Sequence, residues 1–169
     1  MLEASILDFK IKDKNHYCLW YSDEGDRFVI NNNKLIYYFG VSELIKAYTD
    51  SYIIDENIVY CDVDILLITH KEENSLSYNQ LMNFWNMMTD LSKSLGIDFF
   101  GNKRTKQIDK VYDKLFWGLN LPSVTPIGKE YIPIWETHEK KIMSQVVLDG
   151  AGILNDIFRY SEEGQKSRA

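Results

Sequence analysis

A chain of 169 residues with 45% hydrophobic and 14% aromatic residues has the size and composition of one globular domain, which argues against disorder and low complexity. Its net charge of −6 is concentrated: residues 1–75 hold 14 Asp/Glu against 7 Lys/Arg, while residues 76–169 hold 11 against 12. This is the reverse of the basic footprint of a nucleic-acid binder, and no run approaches the ~20 apolar residues of a membrane span.

The N-terminus MLEASILDFK lacks the basic and continuous apolar regions of a signal peptide, so the cytoplasm is the expected compartment. Leu7, Phe9 and Ile11 alternate with Asp8 and Lys10, which predicts a strand. HYCLWY, SDEGD and RFVI read as a β-hairpin with Gly25 in the turn. Asn31 to Asn33 predict a further turn, and KLIYYF a returning strand. From Ser42, a candidate N-cap, Leu44, Ile45 and Tyr48 fall on one face of a short helix. In NIVYCDVDILLITHKE the Ile, Val and Tyr residues favour strand, whereas Asp62 can cap a short helix carrying Val63, Leu66 and Leu67.

The next helix is the clearest. Ser77 and Gln80 form a capping-box pattern and Gly96 a stop. Between them Leu81, Phe84, Trp85, Met88, Leu91 and Leu95 share a face that Tyr78, Met82 and Met87 widen. Its polar residues Asn79, Asn83, Asn86 and Asp90 collapse into one stripe about 60° wide. Such a narrow seam predicts bonds to loop backbone inside the fold; a seam facing solvent would be a second interface candidate. A helix over Arg104 to Trp117 buries Ile108, Val111, Tyr112 and Leu115 and ends at Gly118. Its other face sets Lys103, Arg104, Lys106, Lys110 and Lys114 against Asp109 and Asp113, a pattern of solvated charge pairs. Pro122, Pro126 and Pro133 make LNLPSVTPIGKEYIPIW irregular chain or an edge strand. From Thr137 the pattern is helical again through Ile142, Val146, Val147, Leu154, Ile157 and Phe158. DGAG, Asp149 to Gly152, predicts a kink or a break, and the tail SEEGQKSRA is expected to fray. The expected fold is α+β, a single domain with an N-terminal antiparallel β-sheet packed against a helical layer. Residues 1–40 are expected to be mainly β, 41–162 mainly α, and 163–169 a frayed tail.

Motifs for chemistry are weak. Cys18 and Cys61 lie in apolar surroundings with no close-spaced partner, which reads as buried thiols in a reducing compartment. His16, His70 and His138 are far apart and Asp62/Asp64 stand alone, so no metal is expected, and nothing calls for a cofactor. No nucleophile elbow or phosphate loop is present, and Gly150-Ala151-Gly152 has neither a preceding strand nor a P-loop lysine. A carboxylate site assembled from distant segments, as in a small hydrolase or transferase, remains an alternative, as does a regulatory adaptor.

The acidic half carries the more specific signal. Asp23, Glu24 and Asp26 in WYSDEGDRF, with Asp62, Asp64, Glu72 and Glu73, suit a basic protein partner anchored by aromatics such as Trp20 and Tyr21. The bland reading places Trp20 in the core and leaves DEGD an idle hairpin tip. LMNFWNMMTDLSKSLG and VYDKLFWGLNLPSVTP resemble segments of small bacterial immunity proteins, including those of contact-dependent growth inhibition systems. The resemblance covers roughly residues 60 to 135 and implies a cytoplasmic antitoxin, not an enzyme. It further implies a one-to-one complex with one secreted toxin domain, often a basic nuclease, whose active or substrate-binding surface is blocked. No site residue is carried over from it; the acidic residues are charge complements on the bottom-up reading alone.

Overall fold

The computed structural model describes residues 1–72 and 74–166, with side chains described through residue 159. The chain opens with strand β1 (Leu2–Ile11), which turns back into β2 (Lys14–Ser22). The turn is two residues, Lys12 and Asp13, with φ of 53° and 58°. Such a turn matches the right-handed twist of the strands it joins. Asp64, fifty residues on, locks it by accepting from the Lys12 N–H at 2.7 Å and the Asp13 N–H at 2.8 Å.

The expected SDEGD hairpin leads from β2 to β3 (Asp26–Phe28), with Gly25 at φ 131°. A short ribbon, β4 (Ile30–Asn31) and β5 (Lys34–Leu35), turns at Asn32 and Asn33, whose φ of 52° and 60° asparagine tolerates well. KLIYYF is strand only at its start and otherwise touches β2 through one bridge, Tyr17 to Tyr38. Helix α1 (Val41–Tyr48) follows. Gly40 occupies its N-cap without a side-chain bond, so Ser42 sits inside the first turn and does not cap it.

β6 (Tyr52–Asp62) then enters beside β1 in parallel, giving the sheet order β3-β2-β1-β6. The sheet is therefore mixed: three antiparallel strands as the sequence predicts, and a fourth that α1 carries across to lie parallel. That fourth strand also puts β structure inside the stretch expected to be mainly α. At its end Asp62 accepts from the Ile65 N–H at 3.0 Å and caps α2 (Val63–Thr69), the short helix expected after it.

Helices α3 (Tyr78–Leu95), α4 (Lys106–Gly118) and α5 (Thr137–Lys166) form the layer on one sheet face. α3 is capped by Ser77, which accepts from the Gln80 N–H, and ends at Gly96 with φ 67°. Thr105 caps α4, so it starts two residues later than expected. No regular structure spans 119–136. α5 runs unbroken through DGAG, correcting the expected interruption. Gly150 is not a breaker but a close approach: a Cβ there would lie 2.5 Å from Phe84 Cζ. α5 continues to Lys166; residues 167–169 of the expected frayed tail lie outside the described residues.

Leu7, Phe9 and Ile11 of β1 meet Cys61, Leu66, Phe84, Trp85, Val111, Val147 and Phe158 in the main core. The other face is covered too. Ala4, Ile6 and Leu19 pack on Leu44 of α1, with Tyr17, Tyr21, Tyr38, Tyr48 and Tyr52 around them. Two covered faces explain why β1 shows only a partial period of two: Asp8, which alternates with the core residues, is itself buried. Among the described residues no helix is long and apolar enough to cross a membrane.

Candidate functional site

The strand register assembles an acidic end of the sheet. β1 starts beside β6 (Leu2 opposite Tyr52, Glu3 opposite Ile53), and Ala4 pairs Tyr21, one residue before the β2–β3 tip. Glu3, Asp23, Glu24, Asp26 and Asp50 are all exposed here. Arg27 is the only Lys or Arg between residues 15 and 33. The tip is held in shape: the Asp23 N–H donates to the Gly25 carbonyl at 2.9 Å, and the Ser22 hydroxyl donates to the Asp26 carboxylate.

A row of aromatic rings runs away from this end. Tyr21 and Tyr52 are 5.5 Å apart between ring centroids, Tyr48 and Tyr52 6.2 Å, and Tyr38 and Tyr48 6.4 Å. All four are half-buried. Burial pushes the phenols of Tyr48 and Tyr52 up from their ordinary range, so they stay protonated donors. An end of sheet with exposed carboxylates and half-buried rings offers both charge complementarity and anchoring area to a protein partner.

The other acids named from the sequence do not join this end. Lys10 pairs Asp62, so seven residues of strand, about 23 Å, separate Asp62 from Glu3. Asp62 caps α2 and Asp64 holds the β1–β2 turn, so both carboxylates serve the fold. Glu72 is exposed beyond α2, where its carbonyl accepts from the Ser75 and Leu76 N–H groups. Glu73 lies outside the described residues. Sequence reasoning omitted Glu3 and Asp50: the β1–β2 register brings Glu3 to the hairpin tip, and the parallel pairing of β6 with β1 brings Asp50. Strand formers in SYIIDENIVY were the available signal for that pairing, but not for its partner.

Trp20 belongs to the sheet, as the bland reading had it: its indole N–H donates to Asp90 at 3.0 Å. The polar seam of α3 divides. Asn79 and Asn83 are exposed, while Asn86 accepts from the Tyr112 hydroxyl at 2.7 Å and Asp90 accepts from Trp20. The half-buried pair thus bonds to aromatic side chains rather than to loop backbone. Burial raises the Asp90 carboxyl against the lowering effect of the Trp20 bond.

Other titratable groups are structural. Asp8 accepts from the His16 N–H at 3.0 Å, and desolvation pushes its carboxyl up to about 6. His16 stacks on Phe158 at 3.7 Å between centroids and contacts the Phe9 carbonyl through Nδ1. Cys18 and Cys61 are buried free thiols, both pushed up by burial, Cys61 to about 12, which removes thiolate reactivity. Lys114, read from sequence as a solvated charge, turns inward to Glu139 at 2.7 Å and lies 4.9 Å from the Trp135 ring centre. The remaining outer face of α4 (Lys106, Asp109, Lys110, Asp113) borders an open groove of about 550 Å³ that Lys114, Trp117 and Tyr131 also line. Among the described residues no group of three metal-ligating side chains converges.

Comparison with protein-family models and with curated proteins finds no match. Among solved structures, the chain is similar to the C-terminal domain of SatS, crystallised in complex with bromine. The two share 13% identity and a TM-score of 0.46, over 95% of this chain and 91% of that one. At that level the likeness carries no argument about function.

Proposed function

We propose that this chain is an immunity protein: a binding module, not an enzyme, that neutralises a cognate secreted toxin domain in a one-to-one complex. The observation that supports it best is the sheet end, where five exposed carboxylates, Glu3, Asp23, Glu24, Asp26 and Asp50, gather at the same end as the half-buried Tyr21 and Tyr52. A basic toxin domain, such as a nuclease, complements this surface. Carboxylates there would steer encounter and the rings would hold the complex, occluding the toxin's active or substrate-binding surface. The buried free thiols suit a reducing cytoplasm.

The alternative, a hydrolase or transferase using paired carboxylates, needs two acids converging in a cleft. The two carboxyls raised by burial, Asp8 and Asp90, lie on opposite faces of the sheet, each held by a fold-internal N–H. That arrangement favours the binding reading.

The product of the adjacent gene should co-purify with this chain as a tight complex and harm cells that lack it. The triple variant Asp23→Lys/Glu24→Lys/Asp26→Lys should slow association at least about tenfold at low salt and flatten its salt dependence. A neighbouring product that neither binds nor harms would overturn the proposal; unchanged kinetics in the triple variant would move the interface off the tip.

A further inference from the structure

We infer that the free edge of β6 accepts an added β-strand from a partner: an extended segment in which pairs of Lys or Arg alternate with pairs of aliphatic residues, so that each face carries both. β6 is the last strand in the order β3-β2-β1-β6, and its eleven residues are about twice the usual strand length. Among the described residues its backbone bonds run to β1, apart from the Asn57 N–H, which donates to the Asp55 carboxylate at 3.0 Å. The opposite row of N–H and C=O groups faces out, which is a template for strand addition.

The flanking surface is apolar and uncovered. Val59 and Ile53 share the sheet face of the main core, yet are 38% and 53% exposed, because the helical layer reaches Cys61 and stops short of them. Tyr60 on the other face is 66% exposed. Long edges of this kind are ordinarily guarded by lysine, proline or a covering loop. Between Lys46 and Lys71 the sequence has no Lys, Arg or Pro. What it has instead is a bulge, Glu56 and Asn57 inserted between the residues pairing Ser5 and Ile6, and negative charge at Asp50, Asp55 and Glu56.

That charge selects the occupant. Two copies pairing through β6 would bring the Asp55–Glu56 pairs towards each other, and like charges across strands are destabilising. Asp55 shares the sheet face of Ile53 and Val59, so a strand with both basic and aliphatic side chains on that face meets the carboxylate favourably and covers Ile53 and Val59. The inference deepens the immunity reading and rests on it, the segment belonging to the toxin domain.

The test uses the full chain with two ligands: the adjacent gene's product, and a capped decapeptide in which lysine pairs alternate with valine pairs, as probe. On adding either, the amides of residues 52–62 should gain hydrogen-exchange protection. Asp55→Lys/Glu56→Lys and Ile53→Lys/Val59→Lys, at exposed positions that leave the core intact, should each weaken binding about tenfold or more. A lysine–valine peptide interrupted by proline should not bind, since it cannot complete the ladder. Equal binding of the proline peptide, absence of β6 protection, or a dimer of the free chain whose β6 amides are protected would each overturn the strand-addition inference. If the toxin binds without β6 protection, the immunity reading stands and the edge inference falls. If the toxin does not bind while the peptide does, the immunity reading falls and the edge stands as a docking site for another basic strand.

Discussion

Two glycines one turn-half apart in α5 should respond oppositely to the same substitution. A Cβ on Gly150 would meet Phe84 Cζ at 2.5 Å, Phe84 Cε1 at 2.9 Å and Met88 Cγ at 3.2 Å, whereas a Cβ on Gly152 meets nothing within 4 Å. Phe84 and Met88 are fully buried, so neither can swing into solvent. Overpacking of that kind costs about 1–3 kcal/mol, against a gain of about 1 kcal/mol from replacing glycine by alanine in a helix interior. Gly152→Ala should therefore stabilise by about 1 kcal/mol, raising Tm by about 2–4 °C, while Gly150→Ala should lower stability by up to about 2 kcal/mol. Urea denaturation of both variants measures the difference. Phe84→Leu should be less damaging when combined with Gly150→Ala than alone, because the two share one contact. If Gly150→Ala stabilises as much as Gly152→Ala, α5 does not press on α3 as described, and the account of an uninterrupted, close-packed helix is wrong.

Lys114→Met should cost about 3–5 kcal/mol by stranding the buried Glu139 carboxylate, and adding Glu139→Gln should recover much of it. Burial pushes the Glu139 carboxyl up, but the Lys114 bond, the Glu136 N–H and the Lys114 and Lys110 charges outweigh it and hold it below its ordinary 4.5. Its contribution is thus complete above that value and lost as pH falls through the lower folded value; acid titration of wild type against Glu139→Gln would show it, and coincident curves would refute it. Asp8 has the opposite sign. With its carboxyl raised from 3.8 to about 6, the folded state binds more protons between those values, so stability falls as pH rises through them. Asp8→Asn should stabilise by about 1–2 kcal/mol above pH ~6.5 and have little effect below pH ~3.5, read from Tm across pH. Asp64→Ala should cost about 1 kcal/mol by releasing the Lys12 and Asp13 N–H groups, yet leave the association rate with the proposed toxin partner unchanged; a kinetic effect without a stability effect would return Asp64 to the interface.

Local chemistry alone determined a good deal of this protein. Ser77 and Gly96 bound α3, Asp62 starts α2, and Gly25 and the asparagines make their turns, because capping and turn conformations depend on residues two or three apart. The α+β class and the apolar face of α3 followed from periodicity. Tertiary structure decided the rest. DGAG reads as a break, and becomes a helix because Gly150 is where α5 touches Phe84. Lys114 reads as a surface charge until Glu139 folds beneath it. Asp23, Glu24 and Asp26 were legible as a candidate interface, but Glu3 joins them through the β1–β2 register and Asp50 only through the parallel pairing of β6 with β1. Asp62 and Asp64 were equally acidic to the eye, yet backbone N–H groups claim them. Spacing along the chain carries information about neighbours three or four residues away, whereas the sharing of a surface is set by strand register and packing between segments far apart in sequence.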